Sequence, residues 1–96
     1  MMTIIKKLYK HPKKKYIYAI TGGKYIGELL VFCQSNDTDY CFLSLPHMKN
    51  RFIPKEKFDF GVTEKIVEIV EKIPHRVYKV CNTQFNKNVE DNQILA

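Results

Sequence analysis

The first 27 residues contain no acidic side chain, and the 96-residue chain contains no tryptophan. No apolar run of about 18 residues occurs, which excludes a membrane-spanning helix. Lysines at positions 6 and 7 interrupt the N-terminus before the apolar core of a signal peptide can build. The three cysteines, Cys33, Cys41 and Cys81, are odd in number and lack framework spacing. They argue against a disulfide scaffold and for free thiols in a reducing cytoplasm. Zinc-finger spacing, a Ser-His-Asp set and a paired-carboxylate motif are all missing, so no cofactor or metal is expected. No repeat or linker divides the chain. Residues 1–87 are expected to form one α+β domain, with 88–96 as a frayed polar tail.

The chain does contain positive charge, unevenly placed. The net charge is +6. Seven lysines (Lys6, Lys7, Lys10, Lys13, Lys14, Lys15 and Lys24) precede the first acid, whereas residues 28–96 balance nine basic against ten acidic side chains. Such asymmetry points to a polyanionic partner: nucleic acid, an anionic surface or an acidic protein. Pro12 keeps the run KKLYKHPKKKY off a regular helix, and counterion release makes extended lysine clusters bind phosphates without sequence preference.

Period-two runs predict an antiparallel meander. Thr3–Tyr9 reads as an edge strand and Lys15–Thr21 (KYIYAIT) as a strand. Gly22-Gly23 reads as a tight hairpin turn, Tyr25–Gln34 as the return strand and Asp39–Leu45 as a third strand stopped by Pro46. Arg51–Ile53 suggests a short strand that Pro54 confines to an edge. In Val62–Ile73 (VTEKIVEIVEKI) the apolar residues fall at helical spacing, with Thr63 as N-cap. A second helix follows Pro74 to about Asn86. The expected architecture is therefore a meander of three or more strands with two C-terminal helices packed on one face. Its expected core is Ile17, Ala19, Leu30, Phe32, Leu43, Ile66, Val70, Ile73, Val77 and Phe85.

The candidate nucleic-acid-binding residues are Lys6, Lys7, Lys10, Lys13, Lys14, Lys15, Lys24, Arg51 and Arg76, with Tyr16 and Tyr18. The two tyrosines share one strand face; exposed beside lysines, they would stack unpaired bases and favour single-stranded RNA. The competing interpretation is that the tyrosines fill the core and the lysines solvate an edge strand. Cys33 and Cys41 are expected to face each other as buried thiols of a hairpin. Two other function classes remain open. One is a protein-only inhibitor using a sheet edge or a helical acidic stripe of Glu64, Glu68 and Glu71. The other is a small ribonuclease built on His47, Lys49 and Arg51. Binding without catalysis is the favoured expectation.

Over Lys15–Phe32 and Val62–Lys87 the lysine- and asparagine-rich, strand-then-helix chain resembles the small early accessory proteins of T-even-type phages. Within that group it is similar to the RNA-binding antagonists of a host RNase toxin. The resemblance implies a cytoplasmic phage protein that acts on a host toxin–antitoxin defence with RNA in the complex. It assigns no individual residue.

Overall fold

The computed structural model describes residues 11–45 and 47–95. Strands β1 (Tyr16–Ile20), β2 (Leu29–Ser35), β3 (Asp39–Ser44) and β4 (Lys49–Pro54) run as a meander. Helix α1 (Lys55–Thr63) leads to strand β5 (Val67–Lys72), and helix α2 (His75–Leu95) follows. The five strands form one antiparallel sheet in the order β4-β3-β2-β1-β5. The class is α+β, as the composition and periodicity imply. Helix α1 carries the chain from one edge of the sheet to the other.

Side chains alternate across the pleat, and here each face meets its own helix. Tyr18, Leu30, Phe42 and Ile53 pack with Phe58 of α1. On the opposite face, Ile17, Val31, Cys41 and Leu43 pack with Tyr78, Cys81 and Phe85 of α2. The two helices thus cover opposite faces, not the single face expected. Phe58 anchors the α1 layer: its ring stacks on Phe42 at 5.1 Å and meets Tyr18 and Tyr40 edge-on, both at 5.5 Å. Each such pair adds about 0.5–1.5 kcal/mol beyond the area it buries.

Several local expectations change. Residues 62–73 do not form a helix: Thr63 ends α1, Lys65 turns the chain at φ 61°, and Val67–Lys72 pairs with β1. Valine and isoleucine dominate this segment and favour a pleated surface, and β1 offers it an edge. A register shift opposite Ile17/Tyr18 breaks strict alternation in β5, which explains how a strand came to resemble a helix face. Of the expected core, Ile17, Leu30, Leu43, Ile73 and Phe85 are buried, whereas Val70 and Val77 are exposed. Gly22-Gly23 is not a two-residue turn. The connection runs from Thr21 to Glu28, with positive φ at Gly23 and Gly27. Pro54 does close an edge strand. Helix α2 continues to Leu95 through the expected tail, where Asn88 Nδ2 donates to Met48 O and to Asn50 Oδ1. The expected strand Thr3–Tyr9 and Pro46 lie outside the described residues.

Gly61 lets α1 approach β5 closely. A Cβ there would come within 2.8 Å of Val67 Cγ2. Gly61→Ala is expected to destabilise the fold by about 1–3 kcal/mol, read as a lower urea midpoint. Val67→Ala in the same chain should restore part of the loss. A neutral Gly61→Ala would refute this contact.

Candidate nucleic-acid interface

Lys13 and Lys14 are exposed in the loop that enters β1, and Lys15 is half-buried with φ 70°. The loop is held from below. Tyr18, with no exposed surface, accepts the backbone N–H of Lys13 at 2.8 Å and bonds His11 Nδ1 at 2.7 Å. In the tautomer with Nδ1 unprotonated, the hydroxyl donates to His11 while its oxygen accepts from Lys13. Burial, more than any neighbour, raises Tyr18 to about 12, while the Lys13 hydrogen bond acts the other way. Burial, followed by the Lys13 charge, lowers His11. Both shifts preserve a neutral phenol–imidazole pair beneath the lysines.

The loop adjoins the start of α2. Lys15 O accepts Ile73 N–H at 2.7 Å, and Tyr16 lies opposite Lys72 in the β1–β5 register. From Lys72 to Val89 the sequence holds four cations (Lys72, Arg76, Lys79 and Lys87) and no acid. At about 100° per residue, Arg76, Lys79, Thr83 and Lys87 share one stripe of α2. That stripe is opposite Tyr78, Cys81 and Phe85, which face the sheet. All four stripe residues are exposed. The first turn of α2 contains Arg76 and no acid, so the positive helix end is reinforced. Among the described residues none of Lys13, Lys14, Lys15, Arg76, Lys79 and Lys87 forms an ion pair. Glu71, opposite Ile17, borders the patch.

Two acid-free stretches, distant in sequence, therefore meet at the corner where Lys15 pairs with Ile73. Of the sequence candidates it includes Lys13, Lys14, Lys15 and Arg76. Lys24 does not join them: it follows β1 whereas they precede it, and a five-residue strand separates the two ends by roughly 15 Å. Lys24 instead lies 5.6 Å from the centre of the Tyr25 ring. Arg51 is engaged: its Nε and Nη2 each donate to the Glu28 carboxylate at 2.9 Å, and its guanidinium covers Tyr25. Burial pushes the Glu28 carboxyl up, but the Arg51 hydrogen bonds and lesser neighbours outweigh it and hold Glu28 low. Lys6, Lys7 and Lys10 lie outside the described residues.

The aromatic expectation is corrected. Tyr18 is core and cannot stack a base; half-buried Tyr16 lies edge-on to His11 and under the Lys13 ammonium. Nor does an acidic helical stripe exist, because Glu64 caps α1 whereas Glu68 and Glu71 stand on β5. Cys33 and Cys41 are buried free thiols in one cluster, as expected, although a bulge sets Cys41 opposite Gln34. Burial raises all three thiols, Cys33 to about 12. Lys79 and Lys87 were missed in the sequence. Their signal was the acid-free run 72–89, which a count over the whole of residues 28–96 averages away. No protein-family model, curated protein or solved structure matches the chain.

Tyr18→Phe is expected to cost about 1–3 kcal/mol by stranding the Lys13 N–H, with faster amide exchange at Lys13. Because folding favours the neutral phenol, stability should be lost as pH rises from the ordinary tyrosine value near 10 through about 12. The variant should flatten that loss. His11 works in the opposite direction. Its lowered value contributes stability above about 6.5 that fades as the pH falls further, so acid should loosen the lysine loop first. Identical exchange at Lys13 in both chains would contradict this pinning.

Proposed function

We propose that the protein binds nucleic acid, RNA foremost, by contacting phosphates along the corner made by Lys13–Lys15 and the outer stripe of α2, and that it acts by binding and not by catalysis. The observation that carries this proposal is the convergence of the two acid-free stretches through the Lys15–Ile73 hydrogen bond. Solvation alone accounts for scattered lysines on an edge, but not for six cations on two stretches that meet, without an ion pair among the described residues. Because Tyr18 is buried, phosphate contacts dominate over base stacking, and sequence preference should be weak. In the ribonuclease alternative Arg51 would stabilise a phosphorane, but here it neutralises Glu28. No described helix is long and apolar enough to cross a membrane. With the lack of a disulfide framework, that supports a cytoplasmic binder. The similarity to phage accessory proteins suggests a role in the host cytoplasm as a TifA-like antagonist of an RNase toxin.

Six phosphate contacts predict that log affinity falls against log salt with a slope of about −4 for a single strand. Lys13, Lys14 and Lys15 changed together to Glu should abolish RNA retention in a filter assay. Arg76→Glu with Lys79→Glu and Lys87→Glu should do the same, and each single Lys→Ala should reduce the slope by about 0.7. These positions lie outside the core, so the circular-dichroism spectrum should be unchanged. Wild-type affinity in both triple variants would exclude this surface as the binding site. RNA cleavage that disappears in His47→Ala would instead establish an enzyme.

A further inference from the structure

On the α1 side, away from the basic surface, a half-open cavity of about 410 Å³ lies between α1 and the Thr21–Glu28 connection. Its walls are Ile20, Ile53, Phe58, Phe60, Ile66 and Val67, with Gly22, Gly23 and Gly61 keeping the floor free of side chains. The size falls within the usual range for small-molecule sites, about 300–1,000 Å³. Phe60 lines it while 61% exposed, a large apolar surface that packing within the chain does not explain. The charged groups at the lining are Lys24, Lys57 and Glu56, a net positive mouth over an apolar interior. Among the described residues neither lysine forms an ion pair. Gly61 and Gly22 let the walls pack closely at the back of the cavity, since side chains there would meet Val67 and Ile66.

We propose that this cavity binds a linear aliphatic monocarboxylate, its chain against Phe58, Phe60 and Val67 and its carboxylate between Lys24 and Lys57. The charge arrangement selects this ligand. An apolar tail fills the interior, and a single anionic head suits a mouth of two ammonium groups and one carboxylate. The site is independent of the nucleic-acid proposal, because it lies beyond the Ile20 end of β1 whereas the lysine loop precedes Tyr16.

The test is titration of the intact chain with hexanoate, octanoate and decanoate below their micellar concentrations, followed by amide NMR. Saturable shifts are expected at Gly22, Gly23, Phe60, Gly61 and Val67, with α2 amides unmoved. Each added methylene should tighten binding about fourfold. Lys24→Glu with Lys57→Glu should weaken decanoate about tenfold at low salt; both side chains are exposed, and an unchanged melting curve would check the fold. Phe60→Ala should shorten the chain-length series by lowering the gain per methylene. Equal affinity for decanoate and its methyl ester, shifts centred on α2, or no shift up to the micellar limit would each overturn the proposal. So would capture of uncharged apolar peptides in preference to decanoate.

Discussion

The pairing of β5 with β1 is the constraint on which the rest of the molecule depends. The meander β1–β4 alone would leave β1 as an edge, with Ile17 and Tyr18 short of neighbours. By returning alongside β1, β5 buries that edge and sets where α2 begins. The register that places Tyr16 opposite Lys72 also places the lysine loop against Ile73. A shift by one residue would send Val67 and Ile69 to the other face and move the start of α2 relative to Lys13–Lys15. Fold and basic surface therefore depend on the same register.

Tyr18 joins the two as well. Its ring is fully buried against Phe42 and Phe58, while its oxygen supports the loop that carries the lysines. A phenylalanine would fill the same space but hold nothing above it. The residue most readily taken from sequence for a base-stacking group is thus a support, whose polar tip faces the one part of the surface that needs anchoring. The lysines project from a backbone that Tyr18 pins, which limits the conformations open to the loop.

The strands of the meander were legible because alternation and turn residues are local signals. Leu30 and Leu43 were identifiable as core on that basis, and Phe85 from the helical spacing after Pro74. Residues 62–73 were not, because the spacing of Val62, Ile66, Ile69 and Ile73 fits a helix face, whereas the open edge of β1 acts from a distance. The candidate surface was half legible. Lys13, Lys14, Lys15 and Arg76 stood out as charge, but the partnership with Lys79 and Lys87 is tertiary. The engagement of Arg51 by Glu28, 23 residues away, left no mark in either local sequence.

The clasp between α2 and the β4 edge consists of amides: Asn50 to Phe85 O, Gln84 to Asn88, and Asn88 to Met48 O and Asn50. Amide groups carry no net charge and do not titrate in the working range of a protein. Salt, which screens the outer stripe, leaves this clasp intact. The far half of α2 thus behaves as a strut whose position is decoupled from the ionic conditions its charges respond to. Ionic strength can screen the charges of the helix without moving the helix.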